Sequence, residues 1–355
     1  MKIIFSICHM GLGGTQRVVI NLINWLQQNT QHEMLLIIGY ERDDDKEIYD
    51  FSNIQYKYME SGIVGKIRSI RKAVKEFRPD VMLTLDTPQC LFDIPATFGL
   101  KVRNIVSERN APSHFAGKIT TKFAARILIN FADGYVFQTN AARDFYGGRI
   151  AKNSVVIPNP LFNVEKLPTK PFEGNREKTI VTTGRLNKQK NHPMLIKAFK
   201  SIYEKYSDYK LIIYGEGPER EADQKLISDL GLNGKVLLPG ATNDVPRAIY
   251  KAGIYVLSSD FEGMPNALIE AMALGLPCIS TDCPCGGPRN LIKNGENGIL
   301  VPVDDVKSLS NQLLKLIEDK EYAYRLGNNA FNLRKTLKQD IICQKWNDYF
   351  EKINR

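Results

Sequence analysis

The densest run of residues able to do chemistry is Ser258-Ser259-Asp260-Phe261-Glu262-Gly263-Met264-Pro265-Asn266-Ala267-Leu268-Ile269-Glu270. Pro265 suits the first turn of a helix, where its missing N–H is not needed. Glu262 then falls in the loop before that helix, and Glu270 falls inside it, eight positions on. The N–H groups of Gly263, Met264 and Asn266 lie at the helix start, where amides and the helix dipole favour an anion. Carboxylates beside an anion site would repel phosphate, so they make sense there as binders of hydroxyls. A diphosphate flanked by sugar and ribose hydroxyls supplies both. The plainer alternative is that Glu262 caps the helix and Glu270 lies on its surface.

Three further loops carry glycines or cations after a β-like run. The first is His9-Met10-Gly11-Leu12-Gly13-Gly14-Thr15-Gln16-Arg17. Gly13 and Gly14 let backbone N–H groups approach a ligand closely. The spacing is not G-x-G-x-x-G, so the dinucleotide fingerprint is not met. The second loop, Thr183–His192, brings Arg185 and Lys190. Fixed cations there can stabilise charge developing on a leaving diphosphate. The third is Tyr214-Gly215-Glu216-Gly217-Pro218, where Gly215 and Gly217 permit a tight turn or a ligand contact.

These loops need a scaffold. Lys2–Cys8, Met34–Gly39, Val81–Leu85, Asn104–Ser107, Gly134–Gln138 and Ser154–Pro158 read as strands, with helical patterns between them at Gly14–Gln28, Gly65–Phe77 and Lys118–Phe131. Residues 159–178 break the alternation with Asn159, Pro160, Pro168, Pro171 and Gly174, as a linker does. Strands resume at Thr179–Gly184, Lys210–Tyr214, Lys235–Leu238, Ile254–Leu257, Pro277–Ser280 and Ile299–Val301, with helices at His192–Tyr206, Glu219–Leu230 and Pro265–Leu274. Strand–helix alternation implies α/β architecture, here two doubly wound Rossmann-like parallel-sheet domains. The expected boundaries are 1–165, 166–335 and a C-terminal helix in 336–355 returning to the first domain. Ligands in such sheets sit at strand carboxyl ends, so the site is expected in a cleft between the domains.

A chain of 355 residues is long for one core, which agrees with two domains. The net charge of +9 is spread evenly, +5 over residues 1–168 and +4 over the rest, whereas a nucleic-acid binder concentrates its charge. No apolar run approaches the roughly 18–20 residues of a spanning helix. Six scattered cysteines include no C-x-x-C pair, which points to reduced cytosolic thiols rather than zinc.

The run FEGMPNALIEAMALGLP resembles the E-x7-E signature of the retaining family 4 glycosyltransferases, which have the GT-B fold. GGTQR, GRLNKQKN, GEGP and GENGILVPVDD are similar to that family's other motifs, in the same order. The resemblance implies roles residue by residue. Glu262 would hold hydroxyls of the donor sugar and Glu270 those of the ribose. Arg185 and Lys190 would bind the diphosphate, Gly14 would present its backbone to the phosphates, and backbone around Gly240–Asn243 would hold the base. It also implies that neither cofactor nor metal is needed, which makes Asp43-Asp44-Asp45 a decoy. Two positions depart from the pattern. Arg109, in Ser107-Glu108-Arg109-Asn110, stands where many relatives carry His, and suggests an anionic acceptor contact. Asn290 stands where relatives often have Glu.

Two basic stretches bear on the acceptor. Lys66–Arg78 has six basic residues and one acidic, with Ile67, Ile70, Val74 and Phe77 on one helical stripe. Lys118, Lys122 and Arg126 recur every four residues beside Phe123, Ile127 and Phe131. Each reads either as a solvated face or as a contact with an anionic membrane surface. The expected activity is transfer of a hexose or N-acetylhexosamine from a nucleoside-diphosphate sugar, UDP by analogy. The expected acceptor is a lipid-diphosphate-linked glycan, used in the cytoplasm or on the inner face of the plasma membrane in surface polysaccharide synthesis. The rivals are a sugar-nucleotide 2-epimerase of the same fold and a non-catalytic sugar-nucleotide binding module.

Overall fold

The computed structural model describes residues 1–11, 13–41, 51–112, 119–162 and 164–355, with Ile119 by its backbone alone. Asp43-Asp44-Asp45 and Lys118 therefore lie outside the described residues, as does Leu12 of the first loop. The chain divides into two compact units, Met1–Phe162 with Gln339–Arg355, and Asn163–Lys338.

In the first unit β1 (Lys2–Ile7), β2 (Glu33–Ile38), β3 (Tyr56–Tyr58), β4 (Val81–Leu85), β5 (Arg103–Glu108), β6 (Gly134–Phe137) and β7 (Ser154–Val156) form one parallel sheet, ordered β3-β2-β1-β4-β5-β6-β7. β1 and β2 are near-continuous apolar runs because helices cover both faces of such a sheet. β3 is an addition to the expected strands. It is a three-residue edge, Tyr-Lys-Tyr, and offers no apolar run to read. Helices α1 (Gly14–Asn29), α2 (Gly62–Phe77) and α3 (Ile119–Leu128) lie between strands, and a 3₁₀ turn, Ile129–Phe131, extends α3.

The second unit repeats the plan with β8 (Thr179–Thr183), β9 (Lys210–Tyr214), β10 (Val236–Gly240), β11 (Ile254–Leu257), β12 (Cys278–Thr281) and β13 (Ile299–Val301), ordered β10-β9-β8-β11-β12-β13. Ile180, Leu195, Phe199, Leu211, Val256, Ile279 and Leu313 meet in its core. Its helices include α4 (His192–Lys205), α5 (Arg220–Asp229) and α6 (Asn266–Ala273). Pro265 is the residue before α6, with extended backbone at φ −77° and ψ 107°, rather than a member of its first turn. Proline fixes φ equally well in either place, so its type could not separate the two.

The final helix, α7 (Gln339–Asn354), belongs to the first unit. Phe350 packs edge-on to Phe5 of β1 at 6.2 Å. Trp25 Nε1 donates to Asp340 at 2.8 Å, and Tyr135 N donates to the Tyr349 hydroxyl at 2.9 Å. Gly134 is required here, because a Cβ on it would stand 2.4 Å from the Tyr349 hydroxyl oxygen.

Candidate functional site

The strand order of the second unit reverses between β8 and β11, and ligands of open parallel sheets bind at such a point. The loops leaving these two strands carry Lys190 and Glu262. The Lys190 ammonium lies 2.6 Å from Glu262 Oε1, and the Ser259 hydroxyl donates to the same oxygen at 2.7 Å. The two loops are tied elsewhere as well. Gln189 Nε2 donates to Phe261 O at 2.8 Å, Asn191 Nδ2 to Asp260 Oδ1 at 2.6 Å, and Asp260 N to Gln189 O at 2.8 Å. Asn187 and Asn191 cap the turns that follow β8 by accepting from Lys190 N and Met194 N. The cation and the carboxylate are thus held at the end of the sheet by short polar loops.

Gly215 and Gly217 serve this arrangement as packing residues. A Cβ on Gly215 would stand 1.8 Å from Gly184 O, and one on Gly217 would stand 2.3 Å from Leu186 O. Leu186 N donates to Glu216 O and Glu219 N to Leu186 O, so the β9 loop lies flat against the β8 loop. Gly287 does the same for the β11 loop, since its Cβ would stand 1.9 Å from Gly263 O. Only residues without a side chain allow these approaches.

The remaining positions differ in exposure. Glu262, Gly263, Met264 and Pro265 are buried, Asn266 and Glu270 are half-buried, and Arg185 is exposed. Asn243 is exposed in the loop after β10, where Asp244 caps the next turn by accepting from Arg247 N. Asn290 uses its amide to donate to Gly286 O at 2.6 Å. Ser259, Gln189 and Asn191 belong to the site but were not singled out in the sequence, where hydroxyl and amide residues in loops carry no distinctive spacing. Among the described residues no group of three or more His, Cys, Asp or Glu could hold a metal ion.

In the first unit the loop after β1 opens α1, and Gly13 is the residue before that helix. A Cβ on Gly13 would meet Gln16 Oε1 at 2.2 Å, while Gln16 Nε2 donates to His9 O at 3.2 Å. Gly14 at the start of α1 is exposed. Glu108 ends β5, Arg109 follows it, and both are buried. Glu108 accepts from the Thr87 hydroxyl, from Tyr146 OH at 3.2 Å and from Asn110 N at 3.2 Å. Arg109 Nη2 donates to Asn159 Oδ1, which also receives Gln138 Nε2 at 2.6 Å. Burial lowers the Arg109 pKa to about 10, with Asp86 and Glu108 opposing the fall, so the guanidinium stays charged at neutral pH. Burial also raises both Asp86 and Glu108. The Asp86 and Glu108 carboxylates thus act on Arg109 through charge, and Glu108 itself accepts three internal hydrogen bonds.

The two basic stretches have opposite fates. On α2 the apolar stripe is core, with Ile70 and Val74 buried and Ile67 and Phe77 packed against them. Arg71 donates to Ala96 O and Phe98 O, and Lys57 pairs with Glu76. On α3 and its 3₁₀ extension the stripe faces outward, with Phe123, Ile127 and Phe131 exposed at 67%, 47% and 61%. Arg126 is exposed and lies 5.3 Å from the Phe145 ring, and Lys122 is half-buried.

Residues 163–333 match the family model described as glycosyl transferases group 1. Over its length the chain is 27% identical to an uncharacterised glycosyltransferase of Haemophilus influenzae, covering 97% of this chain and 98% of that one. It is 28% identical to the GalNAc-alpha-(1->4)-GalNAc-alpha-(1->3)-diNAcBac-PP-undecaprenol alpha-1,4-N-acetyl-D-galactosaminyltransferase of Campylobacter jejuni, covering 98% of this chain and 97% of that one. Among solved structures, Anabaena HepE in complex with UDP-glucose superposes with a TM-score of 0.85 at 20% identity, covering 99% of this chain and 100% of that one. The chain therefore resembles glycosyltransferases along nearly its full length, and its two parallel-sheet units are those of the GT-B fold.

Proposed function

We propose that this chain is a retaining glycosyltransferase that moves a hexose or N-acetylhexosamine from a UDP-sugar to a lipid-diphosphate-linked glycan. The observation that carries the reading is the Lys190–Glu262 pair at the β8/β11 switch point, inside the segment matching glycosyl transferases group 1. An ammonium has three N–H donors. Lys190 can hold Glu262 with one and a diphosphate oxygen with another. Glu262, fixed by Lys190 and Ser259, is the acceptor for donor-sugar hydroxyls, and Glu270 on α6 is that for the ribose. Backbone of Gly263, Met264 and Asn266 serves the phosphates, and backbone near Asn243 serves the base. The Campylobacter relative, by its name, elongates an undecaprenyl-diphosphate glycan, which supports the acceptor class.

The reaction needs no protein nucleophile and, in this reading, no metal. The bond from the anomeric carbon to the diphosphate breaks, and its electron pair goes to the leaving oxygen. Lys190 and Arg185 stabilise that charge. The oxocarbenium-like sugar is attacked by an acceptor hydroxyl on the face the diphosphate left, and the hydroxyl proton passes to the departing phosphate. Catalysis rests on positioning and electrostatics.

The outward stripe Phe123, Ile127 and Phe131 with Lys122 and Arg126 supports peripheral attachment to an anionic membrane surface, where a lipid-linked acceptor resides. No described helix is long and apolar enough to cross a membrane. A thermal-shift screen of nucleotide sugars tests the donor half, because stabilisation grows with the logarithm of ligand over Kd. UDP-sugars are expected to raise Tm in the wild type and less in Glu262→Gln. A chain indifferent to every nucleotide sugar would remove the reading.

A further inference from the structure

The first unit has its own switch point, between β1 and β4. The residue immediately after β4 is Asp86, which belongs to none of the motifs above. Its backbone sits at φ 70° and ψ 135°, a region that residues other than glycine rarely occupy. Asp86 N donates to Ser107 O at 2.9 Å, which pins the loop to β5. The carboxylate oxygen Oδ1 is buried and has no hydrogen-bond partner in the protein. Arg109 lies two residues beyond the Ser107 that holds Asp86, and its backbone N–H hydrogen-bonds the Asp86 carboxylate; its side chain is 7% exposed, yet the Nε and Nη1 donors also have no partner. Asn159 Oδ1 accepts from Arg109 Nη2 and is itself held by Gln138 Nε2, and Glu108 is anchored by Thr87 and Tyr146. Buried polar groups left unsatisfied in this way call for an explanation.

The unmet needs are complementary. A carboxylate oxygen requires a donor, and guanidinium N–H groups require an acceptor. A hydroxyl meets both at once. A phosphate only accepts, and here it would face the carboxylates of Asp86 and Glu108 together. An apolar group would satisfy neither.

We propose that Asp86 and Arg109 together bind a hydroxyl of the acceptor glycan, Asp86 Oδ1 accepting its hydrogen and an Arg109 N–H donating to its oxygen. Asp86 thereby selects acceptors that present a hydroxyl at that position. The inference rests on the transferase reading and assigns its acceptor contact. The experiment uses the full chain with UDP-N-acetylgalactosamine and a polyprenyl-diphosphate-linked glycan ending in N-acetylgalactosamine, after other UDP-sugars have been tried as donors. Asp86→Asn and Asp86→Gly are expected to raise the acceptor KM at least about tenfold. The donor KM and the Tm gain with UDP should stay within twofold. Asp86→Gly relaxes the positive φ, which offsets part of the loss of a carboxylate beside the buried Arg109, so it should be no less stable than Asp86→Asn. An acceptor KM unchanged in both variants overturns the proposal. A donor KM that rises while the acceptor KM holds also overturns it, and assigns the hydroxyl to the donor sugar. A wild type that binds nucleotide sugars yet releases no UDP with any acceptor refutes the transferase reading before the variants are made, and this inference with it.

Discussion

Lys190 and Arg185 share a proposed task but not an environment, and this separates their variants. Arg185→Ala removes an exposed cation and should lower turnover by about 2–3 kcal/mol in barrier, with Tm unmoved. Lys190→Ala should cost turnover similarly and also lower stability by about 1–3 kcal/mol. It leaves Glu262, whose side chain is only 9% exposed, without its cation. Kinetics together with denaturant melts check both, and normal turnover in the two variants would remove the leaving-group role. Asp93 gives a pH prediction. It is buried, and burial raises its pKa to about 7 although Ser6 and Gln89 hydrogen-bond it. A carboxyl whose folded pKa exceeds its unfolded value of roughly 4 contributes stability below that value and loses it as pH rises toward 7. Stability should therefore fall by roughly 2–4 kcal/mol from this group between pH 4 and 7, and Asp93→Asn should flatten that slope. Parallel pH profiles for the two proteins would contradict the assignment. Glu262 and Glu270 stood out in the sequence by their eight-residue spacing around a helix start, and Arg185 and Lys190 as cations in a loop between a strand and a helix. Asp86 was not, because a positive φ and a missing partner leave no mark on residue type.

The loops work as stacked layers, and the glycines are what let them stack. Gly215→Ala would drive a methyl to 1.8 Å from Gly184 O. It should destabilise the second unit by at least ~2 kcal/mol and weaken nucleotide-sugar binding, since the β8 loop that carries Lys190 must shift. Gly287→Ala should act in the same way on the β11 loop through Gly263. Calorimetric titration with UDP checks both, and affinity unchanged in a folded Gly215→Ala protein would show that the packing does not position the site. Sequence reading treated GEGP as a ligand loop or a turn, because glycine spacing cannot tell a neighbour's carbonyl from a phosphate. Strands were readable within a residue or two wherever both faces are buried, as in β4 and β11. The exception, β3, is an exposed edge of three residues. Periodicity alone gave α2 and α3 the same amphipathic look. Only the packed structure separates a stripe turned to the core from one turned outward.

For the whole molecule, the even charge, the two parallel-sheet units and the outward stripe of α3 give one working picture. In the proposed function the second unit binds the sugar nucleotide and the first meets the glycan acceptor near a membrane. Anionic liposomes should bind the protein at low salt and release it as salt rises. Phe123→Ser with Ile127→Ser, or Arg126→Glu, should reduce co-sedimentation at least about threefold while leaving Tm nearly unchanged, because these side chains are exposed. Co-sedimentation equal to wild type would detach α3 from the membrane reading. The two-unit division was legible in the strand–helix alternation and the proline-rich break after Asn159. Docking of α7 on the first unit was an expectation that no local pattern could establish, since its contacts with Phe5, Trp25 and Tyr135 span most of the chain. The most direct test of the central claim follows UDP release and product anomer by NMR, with a UDP-sugar in the presence and absence of a polyprenyl-diphosphate-linked glycan. The account predicts UDP release only with acceptor and a product that keeps the donor's α configuration. Conversion of the donor to an epimer without acceptor, or a β-linked product, would contradict it.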